Sequence, residues 1–245
     1  INDYLLDFSA VHPLDVANRP RTKEIRSAIK AYRKNLSAHA EYQLESAVGF
    51  SDILTISPLF GLGASGNELN QVIEDLFLQV QEKLVICTPY FNFPRTLRSK
   101  LARLLEQGKR VEIIVGDKVA NDFYIPPEQP FKMAGALPYL YESNLRRFCE
   151  KFDAYIKNGH LTVRLWKDGD NTYHLKGVWV DNQYILLTGN NLNPRAWRLD
   201  AENGLLIHDP KQELLPQVEQ ELSHIRQYTK VLQDYSELEE LTQYP

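Results

Sequence analysis

Residues 172–191 read TYHLKGVWVDNQYILLTGNN, two apolar runs on either side of a polar connection. The apolar runs favour strands, and the residues between them are typical of a hairpin turn. A turn at Asn182 and Gln183, or over the four residues from 181 to 184, pairs Val180 with Ile185. The stretch therefore predicts an antiparallel hairpin whose two strands continue outward from that pair.

The predicted hairpin brings polar groups together at its open end. Counting outward places Lys176 opposite Gly189 and His174 opposite Asn191. Alternate side chains of a strand share a face, so His174 and Lys176 point the same way, roughly 7 Å apart. Gly189 has no side chain, which leaves room for a ligand against the backbone. An imidazole, an ammonium and an amide in one place suit a phosphodiester.

A structural role for His174 is the alternative, because a single histidine in a strand is most often a satisfied core or edge residue. Lys176 on the same face weighs against that alternative, since an uncompensated buried lysine is costly. Asn191 on the facing strand adds a third polar group to the same place. We therefore hypothesise that the open end of the hairpin is a phosphate site.

Composition limits the remaining classes of function. The chain has 245 residues and a formal net charge of −4, so nothing global indicates a nucleic acid partner. No run of 18 apolar residues is present, and no signal peptide is recognised. Cys87 and Cys149 lie in apolar patterns and are predicted to be reduced core thiols, as in a reducing, cytoplasmic compartment.

The segment around residues 83–117 predicts the fold class. Dense apolar runs at 83–91 and 111–117 favour strands covered on both faces, and the stretch between them favours a helix. A strand, a helix and a strand in this order predict parallel strands with a right-handed crossover. Further helices and strands follow, so we expect an α/β protein with a mixed, mostly parallel sheet between helical layers, a three-layer α/β/α domain.

The domain organisation is predicted from breaks in the pattern. Residues 1–54 are expected to be a linker and helical segment that continues from a missing upstream domain, since the sequence starts with Ile1 and without a recognisable domain start. Residues 55–245 are expected to form a catalytic half. Within that half, the proline-rich and aromatic stretch 121–141 does not alternate and predicts an ordered loop that can cover a site.

The polar residues of the hairpin also match a family pattern. Residues 174–181, HLKGVWVD, fit the H-x-K-x-x-x-x-D signature of the phospholipase D superfamily. TGNNLN at 188–193 resembles the G-S-x-N segment of that family, with Asn191 at the asparagine, and Glu202 matches a family acid that hydrogen-bonds the histidine. The resemblance covers roughly residues 55–230 and implies a phospholipase D-like half-domain.

Other segments resemble one branch of that superfamily more closely. TPYFN, VEIIVGDK, ANDFYIP, GALPYLYE, DNTYHLKG and TGNNLNPRAWRLD are similar to the C-terminal half of the phosphatidylserine synthases of Gram-negative bacteria. The resemblance implies a phosphatidyltransferase that makes phosphatidylserine and CMP from CDP-diacylglycerol and L-serine through a covalent phosphatidyl-histidine. It also implies that no cofactor or metal is needed.

The resemblance also assigns roles to residues. His174 would be the acid-base partner of a nucleophilic histidine upstream, and Glu202 would orient it. The side chains that would bind the phosphoryl oxygens are Lys176, Asn191 and Asn193. Asp181 belongs to the catalytic signature, yet its strand parity is opposite to that of His174, so we predict that it chiefly holds the turn.

The sequence departs from the family pattern in two ways. Thr188 and Gly189 stand where the family has glycine and serine, so the usual serine hydroxyl is absent. These enzymes use two H-x-K motifs, whereas this chain has one, because none of its other histidines is followed by lysine two residues later. The second motif is expected upstream or in a second subunit, with the upstream position favoured.

The expected partners follow from the same resemblance. The substrates would be CDP-diacylglycerol and L-serine, and the protein would associate peripherally with the anionic surface of the inner membrane. The basic residues between Arg95 and Arg110 could meet lipid headgroups, although a solvated helix face is favoured. The alternatives are another phosphodiesterase of the superfamily, such as a cardiolipin synthase or a nuclease, and a non-catalytic half that binds lipid phosphate.

Overall fold

The protein is represented by a computed structural model that describes residues 53–126, 128–130 and 132–240, and helical positions 24, 27, 28, 30 and 31. The chain divides into two compact units, residues 1–51 and 52–245. The division lies close to the predicted boundary at residue 54. The continuation of the first unit from an upstream domain stays a prediction.

The second unit alternates strands and helices around one eight-stranded sheet. The strands are β1 Thr55–Leu62, β2 Lys83–Thr88, β3 Arg110–Gly116, β4 Leu161–Trp166, β5 Gly177–Val180, β6 Tyr184–Thr188, β7 Ala201–His208 and β8 Thr229–Val231. The helices are α1 Glu68–Gln79, α2 Arg95–Glu106, α3 Ala136–Lys151, α4 Asp153–Lys157, α5 Pro194–Arg198 and α6 Leu215–Gln227. Short 3₁₀ turns lie at Lys118–Ala120, Met133–Gly135 and Tyr235–Glu237.

The sheet is mixed, as predicted, but it is not mostly parallel. Its strand order is β1-β7-β6-β5-β2-β3-β4-β8. Only β2 with β3 and β3 with β4 are parallel, and the other neighbours are antiparallel. The prediction of mostly parallel strands was wrong because it assumed a helical crossover, like that between β2 and β3, throughout the sheet. The connections from β5 to β7 contain no long helix, so these strands run as an antiparallel meander.

Helices cover both faces of the sheet, which confirms the α/β class with three layers. On one face, α1 and α2 bury aliphatic side chains, namely Leu69, Ile73, Leu76, Leu97, Leu101 and Leu105. On the other face, α6 buries Val218 and Leu222 against β2, β3 and β5. Cys87 and Cys149 are buried and unpaired, as predicted.

The hairpin of β5 and β6 forms, but its register differs from the prediction by one residue. Val180 pairs with Tyr184 rather than with Ile185. The turn contains three residues, and two of them, Asp181 and Asn182, have φ angles of 50° and 59°. Aspartate and asparagine tolerate this left-handed conformation better than most residues, which permits the odd-numbered turn.

The register error also changes the partners of the site residues. Lys176 lies beside Thr188 rather than Gly189, because the backbone N–H of Thr188 donates to the Lys176 carbonyl at 3.4 Å. Strand β5 begins at Gly177, so His174 and Lys176 belong to the segment that leads into the strand. The predicted face-sharing of the two residues on a regular strand was therefore wrong, although both remain at the same end of the hairpin.

Candidate active site

His174 lies at the entrance to β5 with about half of its side chain exposed, 51%. Its Nε2 is 2.7 Å from Oδ2 of Asp122, in the loop that follows β3. The Tyr90 hydroxyl donates to the same carboxylate oxygen at 2.8 Å. The Tyr90 ring stacks on Tyr141 at 5.1 Å and meets the imidazole edge-on at 6.3 Å. The imidazole therefore contacts the Asp122 carboxylate and the ring of Tyr90, which is stacked on Tyr141.

The contact between His174 and Asp122 corrects the role predicted for Glu202. No hydrogen bond or ion pair joins Glu202 to His174 within residues 132–240, where both side chains are described. Glu202 instead lies against Gly189, where a Cβ atom would come within 2.8 Å of its Oε2. The space left by the glycine is thus occupied by a carboxylate. Family spacing alone could not reveal this arrangement.

Asp122 was missed by sequence reasoning, although a signal for its neighbourhood existed. The non-alternating stretch 121–141 was predicted to be an ordered loop that can cover a site, and the first turn of that stretch does contact His174. The two residues are 52 positions apart in the chain. No motif spacing connects residues at that separation, so the particular carboxylate could not be identified from the pattern.

Lys176 supplies a half-buried cation beside His174. Its Nζ donates to the His174 carbonyl at 2.6 Å, and the residues described here place no carboxylate in an ion pair with it. Burial lowers the pKa of Lys176 below its usual range, while the negative charges of Glu202 and Asp122 oppose that shift. A lysine that is desolvated and not directly paired gains from an anionic ligand.

The pKa of Glu202 is also shifted towards the uncharged form of its side chain. Burial raises the pKa of Glu202 above its usual range, and Asp200 adds to the rise, whereas Lys176 and Arg195 act against it. The carboxylate therefore interacts with Lys176 through space rather than through a contact. Its charge can therefore balance that of Lys176 when no phosphate is present.

The two asparagines predicted to bind phosphate, Asn191 and Asn193, differ in the hydrogen bonds of their side chains. The Asn191 carbonyl accepts from Oγ1 of Thr88 at 2.8 Å, and its side-chain Oδ1 is buried without a hydrogen-bond partner. Asn193 begins helix α5, where its Oδ1 accepts from the backbone N–H of Ala196 at 2.9 Å. The structure thus gives Asn193 the role of a helix cap, whereas Asn191 keeps a buried Oδ1, an acceptor, without a partner.

Asp181 lies at the far end of β5 from His174 and fastens the hairpin to β2. Its two carboxylate oxygens accept from the backbone N–H groups of Gln81, Glu82 and Lys83 at 2.6, 2.9 and 2.7 Å. Its own N–H donates to the Lys83 carbonyl at 3.0 Å. These bonds agree with the predicted structural role and place the carboxylate away from the imidazole.

Comparison with known proteins identifies the group to which this fold and site belong. A family model described as "Cardiolipin synthase, PLD-like domain" matches residues 73–226, which include the whole H-x-K signature. The chain is 80% identical over 245 residues to the CDP-diacylglycerol--serine O-phosphatidyltransferase of Haemophilus influenzae and 51% identical to that of Escherichia coli. Each match covers 100% of this chain and 54% of the relative.

A solved structure shows similarity to the same group of proteins. The crystal structure of phosphatidylserine synthase from Haemophilus influenzae Rd KW20 matches with a TM-score of 0.87, over 100% of this chain and 55% of that chain. The chain thus spans about half the length of the curated relatives it matches. The family match confirms the resemblance drawn from the H-x-K motif, and the chain belongs to the phospholipase D superfamily.

Proposed function

We propose that this chain is the C-terminal catalytic half of a CDP-diacylglycerol–serine O-phosphatidyltransferase. The observation that carries the proposal is the pairing of a half-exposed His174 with a half-buried Lys176 that has no carboxylate in direct contact. An acid-base group next to a cation that has no carboxylate in direct contact suits phosphodiester chemistry. The high identity to two bacterial enzymes of that name supports the choice of substrates.

The reaction proceeds in two steps through a covalent intermediate. A histidine of the second H-x-K motif, outside this chain, attacks the phosphatidyl phosphorus of CDP-diacylglycerol. The bond from phosphorus to the CMP oxygen breaks, and protonated His174 donates its proton to that oxygen. Neutral His174 then takes the proton of the serine hydroxyl, whose oxygen attacks phosphorus, and the bond between phosphorus and the nucleophilic histidine breaks.

The other site residues act on the charge of the phosphoryl group. Lys176 neutralises a non-bridging oxygen, and the amide of Asn191 binds a second oxygen. Glu202 balances the charge of Lys176 between turnovers. Asn193 supports the segment as a helix cap, and Asp181 holds the turn, so neither touches the substrate in this account. Lysine side chains offset the phosphate charge, so no cofactor or metal is assigned.

The membrane partner is proposed from the charge of one exposed helix face. Every helix in the described part of the chain is too short or too polar to cross a bilayer. Arg95, Arg98 and Arg103 are exposed on α2, while Lys100 lies 3.6 Å from Glu74. The exposed arginines suit the anionic headgroups of the inner membrane, with the protein bound peripherally on the cytoplasmic side.

Replacing the acid-base group tests the proposed function. In the intact protein that contains this chain, His174→Ala should lower serine-dependent CMP release by at least 100-fold, because no group remains to move the proton. The fold should persist, since His174 is half exposed. His224→Ala, on the exposed side of α6, is the matched control and should retain full activity. Unchanged turnover in folded His174→Ala protein would contradict the role of His174.

A further inference from the structure

The carboxylate of Asp122 is poorly explained by phosphate chemistry alone. The site must bind an anionic diester, yet two carboxylates, Asp122 and Glu202, lie near its one lysine. A carboxylate next to a bound phosphate is repelled by it, and the repulsion weakens substrate binding unless a cation intervenes. Asp122 also keeps 38% of its side chain exposed, so it is open to a ligand.

We infer that Asp122 binds the protonated amine of the acceptor substrate and thereby delivers the neighbouring hydroxyl to Nε2 of His174. This inference rests on the proposed function and deepens it by naming the acceptor class, an alcohol with an ammonium group on the adjacent carbon. L-Serine has this arrangement. The positive charge of the acceptor's ammonium group would offset the repulsion between the Asp122 carboxylate and the bound phosphate.

The distances agree with an acceptor of that size. A hydroxyl that gives its proton to His174 must lie about 2.6–3.2 Å from the accepting nitrogen. Oδ2 of Asp122 already lies 2.7 Å from Nε2, so the carboxylate occupies the place that the hydroxyl must take. An oxygen and a nitrogen on adjacent carbons are about 3 Å apart. The acceptor would therefore have to break the His174–Asp122 contact and part the two side chains, after which its hydroxyl lies on His174 and its amine on Asp122.

The surroundings keep Asp122 ionised and aimed at that space. Burial alone would raise the pKa of Asp122, but hydrogen bonds from His174 and Tyr90 outweigh it and lower the pKa below its usual range. Burial and the neighbouring carboxylate raise the pKa of Tyr90, so its hydroxyl remains a donor. Tyr90 is itself held by stacking on Tyr141. When the acceptor displaces His174, Tyr90 still orients the carboxylate.

A purely positioning role for Asp122 makes different kinetic predictions. If Asp122 only oriented the imidazole, its loss would slow the departure of CMP and the attack of every acceptor alike. If Asp122 binds the amine, the first step, which needs no serine, should be spared. The loss should then appear in KM for amine-bearing acceptors.

The test compares Asp122→Asn with the unmodified intact protein in both steps. We expect the phosphatidyl-enzyme to form from CDP-diacylglycerol within about twofold of the normal rate, while KM for L-serine rises at least tenfold. The preference for L-serine over 3-hydroxypropionate, which has the hydroxyl but no amine, should fall at least tenfold. Ethanolamine, which keeps the amine, should show the same sensitivity as serine.

Two further variants serve as a control and as a second test of the inference. Asp170→Asn removes an exposed carboxylate in the segment just before His174 and should leave both steps unchanged. Tyr90→Phe keeps the aromatic ring and removes one donor to Asp122, so it should raise KM for serine by a smaller factor, even if Asp122→Asn proves unstable.

Failure of the inference and failure of the proposed function are distinguishable. Equal losses in the first step and with all acceptors, or an unchanged KM for serine, would overturn the inference while the unmodified protein remains a phosphatidyltransferase. If the unmodified protein forms no adduct and releases no CMP, the proposed function itself fails, and the inference with it.

Discussion

At the residue scale, two polar residues at opposite ends of one short strand have different duties. His174 precedes β5 and is half exposed, whereas Asp181 follows β5 and accepts three backbone hydrogen bonds from the start of β2. Both belong to the H-x-K-x-x-x-x-D signature. The signature therefore leaves an exposed histidine, to which we assign the chemistry as a proposal, at one end of the strand and a carboxylate that anchors the strand at the other.

The anchoring role of Asp181 predicts a loss of stability without a loss of chemistry. Asn tolerates the φ of 50° at this position, so Asp181→Asn keeps the turn but cannot accept from all three N–H groups. We expect a loss of about 1–2 kcal/mol in the free energy of unfolding, with most turnover retained by the folded molecules. Urea titration and CMP release on the same samples measure both quantities.

Asp168→Asn is a matched control for Asp181→Asn, because the Asp168 carboxylate accepts from the side chain of Asn171 in its own exposed loop, at 3.1 Å, and not from the backbone of another strand. It should change neither stability nor turnover. An Asp181→Asn protein that is fully stable and yet inactive would move Asp181 into contact with the substrate and contradict the division of roles along β5.

At the element scale, a buried carboxylate fixes helix α6 to the sheet. Glu112 on β3 is 6% exposed and pairs with Arg226 of α6 at 2.7 and 2.9 Å and with Arg164 of β4 at 2.7 Å. Burial opposes ionisation, but the two arginines and Lys83 outweigh it and lower the pKa of Glu112 to about 2. Charge pairing thus joins two strands and a helix.

The pKa of Glu112 predicts how stability depends on pH. Because the folded pKa of about 2 lies below the ordinary value of 4.5, the contribution is fully present above pH 4.5 and is lost as pH falls towards 2. Glu112→Gln should cost on the order of 3 kcal/mol at pH 7 and less than half of that at pH 3. Urea denaturation at both pH values measures the difference.

Glu82→Gln provides the control for the pH experiment. The Glu82 side chain makes an exposed ion pair with Arg110 at 3.6 Å, and its backbone bonds do not depend on the side chain, so its replacement should change stability little at either pH. A cost for Glu112→Gln that is the same at pH 7 and pH 3 would show that the cluster does not act through the ionised carboxylate.

The elements also show what the sequence could and could not predict. Apolar runs predicted the strands of the hairpin and those on either side of α2, because burial leaves a regular pattern. It did not predict the register, since the left-handed conformations of Asp181 and Asn182 add a third turn residue without any change in the apolar runs. A shift of one residue then moved Gly189 away from Lys176.

At the scale of the whole molecule, the sequence indicated candidate site residues that are close together in the chain and missed one that is distant. His174 and Lys176 were proposed as site residues because their spacing matches a motif, and their roles stay a prediction. Asp122 reaches His174 from 52 residues away, in a loop where its carboxylate also accepts from Tyr90, whose ring stacks on Tyr141. Local patterns carry no information about such a contact.

The mechanism predicts that divalent ions are dispensable. No group of three or more His, Cys, Asp or Glu side chains that could hold a metal is found in the described part of the chain. Lys176 and the lysine of the second motif are instead assigned to the phosphate charge. Activity of the intact protein should therefore survive exhaustive treatment with EDTA. A loss that one added divalent ion restores would contradict this assignment.

The central claim is that this chain supplies the acid-base half of a two-histidine covalent mechanism. The most direct test is the intact mass of the full-length protein after incubation with CDP-diacylglycerol and no serine, followed by peptide mapping. The account predicts one phosphatidyl adduct, carried by a histidine other than His174 and removed on addition of serine. An adduct on His174 itself, or serine-dependent CMP release with no adduct at all, would contradict it.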